Sequence, residues 1–401
     1  MKQGVKKAIL LGSLCSVSYL AVYIARNILG AVTPQLLGVG YSESFIGTIS
    51  GVYFYAYAVG QLINGAIGDK IRSKWMICIG LFGAGITNLI FSQIPANSPE
   101  LATVVYGMTG FFLSMIYGPM TKVVSENTEP IYATRCSLGY TFASFFGSPA
   151  AGVLATFLAW QSVFFVSSSL LFVMSICAFL CFSLFERRGL VKYGQYKPRE
   201  KGVKNISMLF KRDIVKFAFV SILTGVVRTS VVFWLTTYIN QYLGFDSETS
   251  ATLFTAASLV ISLTAFIAVF IYERLGYNIN KTVLIMFSSA VVFFTLTYFV
   301  KQPVFNIIFI VLAIMSSNGA ASMLWSRYCP SLRDTGMVSG ATGFLDFVSY
   351  MSAATANLIF ANAVTDIGWE NLILVWIGLM IVGAIVALPY KWLISKIKTA
   401  R

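Results

Sequence analysis

Residues 19–34 read YLAVYIARNILGAVTP, and a single arginine, Arg26, interrupts an apolar stretch that begins near residue 8. About 20 such residues cross a hydrocarbon core of roughly 30 Å as a helix, so the stretch predicts a membrane span with a guanidinium inside it. A cation there costs at least ~2.5 kcal/mol and is held where it faces a protein interior or a watery cavity, commonly on a substrate path. At helical spacing Tyr19, Tyr23, Arg26 and Gly30 share one face. That face carries two phenols, a cation and a gap. The competing reading is an arginine that snorkels to the interface or pairs structurally.

The rest of the chain is built like this stretch. Of its 401 residues 57% are hydrophobic and 11% charged, and the mean hydropathy is +0.78, more apolar surface than a soluble domain buries. Apolar runs of helical length recur to the end, too long for barrel strands. The expected fold is therefore an all-α polytopic membrane protein in a cell membrane.

The net charge of +14 follows topology and does not indicate nucleic acid. Lys2, Lys6 and Lys7, then Lys70, Arg72 and Lys74, then Lys122 and Arg135 fall in alternate connections, the positive-inside pattern. The intervening connections hold Glu43, Glu100, Asp246, Glu248, Asp366 and Glu370, with Lys301 their only basic residue. Both termini are expected in the cytoplasm, with the first span serving as an uncleaved signal anchor. The six cysteines lie within spans or near cytoplasmic turns, which implies no disulfide framework.

Twelve spans are expected, at 8–34, 43–67, 75–95, 101–124, 137–159, 161–185, 214–243, 249–272, 281–301, 303–326, 337–364 and 370–393. A basic, polar linker, 186–213, separates two six-helix halves, 1–185 and 214–401. Its charge also suits the surface of an anionic bilayer. The halves share punctuation: Arg26 answers to Arg228, Asp69-Lys70 to Glu273-Arg274, and Lys122 to Arg327, each pair about 200 residues apart. Such parallel repeats around a central site resemble the major facilitator superfamily. The motif Gly65-Ala-Ile-Gly-Asp69-Lys70-Ile-Arg72-Ser-Lys74 is similar to its signature loop, with Arg72 where a glycine is usual. An acid there can latch the halves in one state by accepting from a neighbouring helix N-terminus or from a basic residue. Lys70, Lys122, Glu273, Arg274 and Arg327 join Asp69 as gating candidates, with a purely topogenic role as the alternative.

A narrower likeness rests on YxxR followed by Pro34, GxxxD ending the second span, Arg228, Trp234 and Tyr238 in the seventh, and Thr342-Gly343-Phe in the eleventh. These resemble the organophosphate:phosphate antiporter family across nearly the whole chain. The resemblance implies that Arg26 and Arg228 bind the phosphate of a glycerol or sugar phosphate exchanged for inorganic phosphate. Tyr19, Tyr23 and Tyr57 then line the cavity with Gln61 and Trp234. Two guanidinium forks suit a tetrahedral oxyanion independently of that likeness. The chain departs from the family in having Asn27 after the first arginine, Gln61 where a lysine is usual, and no histidine, all of which lower positive charge.

Gly147, Pro149 and Gly152 match an antiporter motif or serve close packing. Tyr53, Tyr55 and Tyr238 are further cavity or interface aromatics. Asp346 is the one acid well inside a span, on a face with Gly343, Tyr350, Ala353 and Asn357. It is either a counter-ion for a cation or a proton carrier. With no phosphate-cradling loop, metal-ligand cluster or nucleophile-base pair, no enzyme activity, cofactor or metal is expected. The expected function is secondary transport of a small anion by a monomer in the bilayer. The alternatives are a proton-coupled carrier using Asp346 and a membrane sensor of organophosphates.

Overall fold

The apolar runs become helices in the computed structural model, which describes residues 3–41, 43–94, 98–195 and 203–389. Lys2, the end of the twelfth expected span and the basic tail lie outside the described residues, as do the side chains of Pro34 and Asn357. Among the described residues there is no strand, and eight helices are long and apolar enough to cross a membrane. In order, the helices begin with α1 (Gln3–Gly38), α2 (Glu43–Lys70), α3 (Ser73–Phe91), α4 (Pro99–Asn127), α5 (Pro130–Phe145), α6 (Gly147–Phe157), α7 (Trp160–Arg187) and α8 (Val203–Lys211). They continue as α9 (Ile214–Val226), α10 (Val232–Gln241), α11 (Ser247–Ser262), α12 (Thr264–Arg274), α13 (Ile279–Phe299), α14 (Pro303–Met323), α15 (Cys329–Ser331) and α16 (Val338–Ala387). In its described residues each of the twelve expected spans falls mainly on helix, and the chain is an all-α polytopic membrane protein.

The structure adds breaks to this pattern. The fifth span is two helices, α5 and α6, meeting at Gly147, where a Cβ would stand 2.5 Å from Tyr23 Cβ. The missing side chain lets this corner approach α1 beside the tyrosine face, so Gly147 serves packing, whereas a Cβ at Gly152 meets nothing within 4 Å. The seventh span is α9 and α10 joined by a π-turn, Val227–Val231, and a second π-turn, Leu324–Tyr328, follows α14. The eleventh and twelfth spans form one helical run turned at Gly368, where φ is 75°. Start signals are conventional: Pro99, Pro130 and Pro303 open α4, α5 and α14, where the missing N–H has no helical partner to lose.

The chain forms two compact units, Met1–Arg212 with Cys329–Phe347, and Asp213–Tyr328 with Val348–Arg401. In the first, α2 packs on α4, α3 on α4 and α7, and α1 on α5, α6 and α7. In the second, α13 packs on α14 and α12 on α14. Side-chain caps mark the second unit: Asp246, Asn278 and Gln302 accept from the backbone N–H of Thr249, Lys281 and Phe305. Each such cap stabilises a helix start by roughly 1 kcal/mol.

Polarity is inverted relative to a soluble protein. Phe157, Phe299 and Leu259 are among the most exposed side chains, while Gln61, Asn64, Thr109 and Ser114 are buried. An exterior of this kind is solvated by lipid. Buried hydroxyls and amides are joined by hydrogen bonds such as Thr109 Oγ1 to Thr87 Oγ1 at 2.7 Å and Asn64 Nδ2 to Ser114 Oγ at 2.7 Å.

Candidate functional site

In the first unit, α1 and α2 bring three aromatic rings around the Arg26 guanidinium. Its Cζ lies 5.3 Å from the centre of the Tyr23 ring, 5.2 Å from Phe54 and 5.0 Å from Tyr57. A cation over a ring face gains ~0.5–2 kcal/mol, most when desolvated. The tyrosine face continues inward, with Tyr19 at 5.0 Å from Tyr23, 5.4 Å from Tyr117 and 6.0 Å from Tyr140. The gap is real, since a Cβ at Gly30 meets nothing within 4 Å. Arg26 and Tyr23 are half-buried, whereas Tyr57 and Gln61 are buried at 1% exposure. Asn27 turns back on its own helix, Nδ2 donating to Tyr23 O at 2.6 Å.

Two aromatic candidates on α2 take other roles. Tyr53 is 1% exposed and packs against Tyr106 of α4 at 5.1 Å, and Tyr55 points outward at 63% exposure. Gln61 Nε2 has no hydrogen-bond partner among the described residues. Its backbone meets α16 so closely that a Cβ on Gly343 would stand 2.1 Å from Gln61 O, a small-residue crossing of the kind that lets membrane helices touch. Asp346, one turn further along α16, is 6% exposed and lies within electrostatic reach of Tyr117 and Cys329.

In the second unit, Arg228 sits in the Val227–Val231 π-turn, half-buried, with Cζ 5.9 Å from the Tyr350 ring. A π-turn inserts one residue per turn and re-aims side chains, which is why it recurs at functional positions. Trp234 follows on α10 and is half-buried. Tyr238 is a packing residue: its hydroxyl donates to Asn306 Oδ1 at 2.6 Å, and its ring stacks on Tyr242 at 5.0 Å.

The expected gating residues of the first unit converge. Asp69, past the end of the second span, accepts from the backbone N–H of Ser339 at Oδ1 and of Gly340 at Oδ2, both at 2.8 Å. Those are the free donors of the first turn of α16, where a helix favours an anion. Burial pushes the Asp69 carboxyl up to about 7, against the lowering effects of the two N–H donors and of Lys122. The Lys122 ammonium, 6% exposed, donates to Gly68 O at 2.9 Å and Asp69 O at 2.8 Å, closing the carbonyl end of α2. Lys70 is exposed. In the second unit Arg274 lies over the Phe270 ring at 5.1 Å, and Glu273 is half-buried. Arg327, inside the second π-turn, lies 5.9 Å from the Tyr272 ring and bonds to its hydroxyl.

A cavity of about 420 Å³ opens beside this latch, lined by Asp69, Lys70, Arg72, Lys122, Glu126 and Glu186 together with Val191–Gly194. The start of the linker is tied down over it. Asn127 Oδ1 accepts from Lys192 N at 2.8 Å and Gln195 Nε2 at 3.0 Å, and its Nδ2 donates to Lys192 O at 3.0 Å. Glu126 accepts from the Gly194 N–H, and burial raises its carboxyl pKa. Lys74 pairs with Glu186 at 2.9 Å.

Sequence reasoning missed Phe54, although it stands three residues before Tyr57 on the same helix. It also missed the Asn127 anchor, whose only signal is an amide at a helix end. Among the described residues no cluster of three or more His, Cys, Asp or Glu could hold a metal.

The Major Facilitator Superfamily profile matches residues 15–357. The chain is 22% identical over 403 residues to the glycerol-3-phosphate transporter of Bacillus subtilis, covering 94% of this chain and 90% of that one. It is also 22% identical over 418 residues to the membrane sensor protein UhpC of Escherichia coli, covering 93% and 89%. Among solved structures it resembles the Major Facilitator Superfamily transporter FucP in the outward conformation, with a TM-score of 0.71 at 14% identity over 95% of this chain and 98% of that one.

Proposed function

Because the chain belongs to the Major Facilitator Superfamily, we propose that it is a secondary transporter of a small phosphorylated metabolite, a glycerol or sugar phosphate, exchanged for inorganic phosphate. The observation that carries this reading is the Arg26 guanidinium held by three ring faces inside the first span. Ring faces orient a planar guanidinium fork, the group whose geometry matches a phosphate oxygen pair. Arg228, with the Tyr350 ring 5.9 Å from its Cζ, supplies the second fork. Tyr19, Tyr23, Tyr57, Gln61 and Trp234 complete the site. The printed names of the relatives, a glycerol-3-phosphate transporter and a sensor, support the substrate class and keep the sensor reading in view.

Access alternates as the six-helix halves rock about the substrate, with Asp69 as the cytoplasmic latch and the 186–213 linker and both termini in the cytoplasm. The protein works as a monomer in the cell membrane. A second reading rests on Asp346: buried at 6% exposure, it is placed to carry a proton if its carboxyl is desolvated. Proteoliposomes loaded with phosphate and offered phosphorylated and unphosphorylated solutes test both. Exchange restricted to phosphorylated compounds is the expected result. Gradient-driven uptake of unphosphorylated solutes, lost in Asp346→Asn, would establish the proton-coupled reading instead.

A further inference from the structure

Helix α8 (Val203–Lys211) belongs to no expected span, yet its sequence is two-sided. In VKNISMLFKR, residues 203–212, Val203, Ile206 and Phe210 recur at helical spacing, and Lys204 and Lys211 fall on a different face. The segment has three basic residues, Lys204, Lys211 and Arg212, and no acid.

Within the first unit, one edge of this helix is seated on protein and another is open. α8 packs on the 3-10 turn Leu332–Thr335, Leu209 is buried, and Arg212 Nη2 donates to Asp334 Oδ2 at 3.1 Å. Phe210, next in the chain to Leu209, is 59% exposed, and Lys211 and Arg212 after it are exposed as well. Covalent reach keeps this face at the bilayer surface. Val338, which opens α16 and the eleventh span, follows Thr335 by three residues, and Ile214, which opens the seventh, follows Lys211 by three. At ~3.5 Å per residue, three residues extend at most about 10 Å. The headgroup layer is itself roughly 5–7 Å deep on each side.

An exposed ring at that depth has acyl chain ends within reach, and the two cations that follow it have lipid phosphates. We infer that α8 is an interfacial anchor for anionic lipid: Phe210 enters the headgroup layer while Lys211 and Arg212 meet the phosphates of the same leaflet. The ion pair with Asp334 holds the last turn in place for that contact. This role is independent of which solute the carrier moves.

The test uses the full chain reconstituted in vesicles of phosphatidylcholine, alone or mixed equally with phosphatidylglycerol. A nitroxide is attached at Phe210→Cys, with the native thiols that are not buried removed by Cys177→Ser and Cys181→Ser. Its collisions with oxygen, which concentrates in the bilayer, are compared with those of a water-soluble nickel chelate. Oxygen should dominate in the mixed vesicles. The ratio of docked to undocked label should fall about tenfold or more when phosphatidylglycerol is left out, or when Lys211→Gln and Arg212→Gln are combined. High salt should lower the same ratio with no further substitution, so the result does not depend on how the double variant folds. Asp334→Asn breaks the ion pair but keeps both cations, and should leave most of the docked population. Nickel dominating in the mixed vesicles, a ratio indifferent to phosphatidylglycerol, or a label shielded from both reagents by protein overturns the inference. So does a loss in Asp334→Asn equal to that of the double variant, because the ion pair and not the lipid would then position α8.

Discussion

The two membrane arginines stand about 200 residues apart and answer to each other in sequence, yet they are held in different ways. Arg26 lies on an unbroken α-helix and is fixed by three rings from two helices. Arg228 lies where the helix itself is deformed, with its Cζ 5.9 Å from the Tyr350 ring of α16. The first arrangement fixes a side chain by packing, which leaves the backbone regular. The second fixes it through the backbone. A repeat can therefore keep the position of a charge while the means of aiming it diverge, and the two arginines should respond differently to substitution.

The largest effects are expected at the arginines. Arg26→Lys should lower transport by about 100-fold, because a point charge loses the planar fork and with it a pair of charge-assisted bonds worth ~1.5 kcal/mol or more each. Substrate-stimulated exchange, normalised to protein abundance, measures this, and near-normal rates in Arg26→Lys would remove the bidentate site. The comparison sharpens with Phe54→Leu, which removes one wall of the box. It should weaken binding severalfold, about 1 kcal/mol, while Tyr350→Leu at the Arg228 side should do less because the π-turn remains.

Next comes the α2–α16 crossing. Gly343→Val forces a side chain onto the Gln61 carbonyl, which a Cβ would already approach to 2.1 Å. Overpacking of this kind costs ~1–3 kcal/mol, and thermal unfolding in detergent should show it. An unchanged melting temperature would mean that the helices can separate here at no cost.

The latch is a smaller, pH-dependent effect. Asp69 has a carboxyl raised to about 7 in the latched state, against ~4 when free in water. The latched state therefore binds the proton more tightly, and by linkage its advantage is full below about pH 4 and declines as pH rises through about 7. Hydrogen exchange at the Ser339 and Gly340 amides, corrected for intrinsic rates, should quicken between pH 5 and pH 8. Asp69→Asn should abolish that dependence.

The smallest effect is at the linker. Asn127→Ala removes three hydrogen bonds to Lys192 and Gln195, each worth ~1 kcal/mol, and should expose Lys192 to trypsin without altering global stability. Resistance equal to that of the wild type would show that other contacts hold the strap.

How much of this was legible follows from what a charge or a period can report. Charges in an apolar chain are expensive, so Arg26, Arg228, Asp346 and the Asp69 cluster stood out by type alone, and hydropathy located the spans. The deformations did not show. A π-turn leaves composition unchanged, and nothing in VRTSV distinguishes Val227–Val231 from ordinary helix. Asp69 could be read as an acid seeking a helix N-terminus, but which amides it would meet depended on tertiary packing of α16. Tyr238 read as a cavity or interface aromatic because its partner, Asn306, is distant in sequence. Phe54 was passed over because an apolar ring in a membrane helix carries no signal of its own.

The π-turn at Arg228 has a consequence for tolerance to shortening. A helix with one surplus residue can lose a residue and relax to regular geometry, leaving both ends of α9 and α10 in register with their neighbours. Deleting Val231 should thus yield a chain that still inserts and melts near the wild-type temperature, with only the local aim of Arg228 changed. The same deletion in α1, at Ile28, has no surplus to absorb it and would rotate everything beyond it by about 100°, a full residue step of the helix. The seventh span is in this sense a place where the aim of Arg228 can be retuned by changing length instead of chemistry.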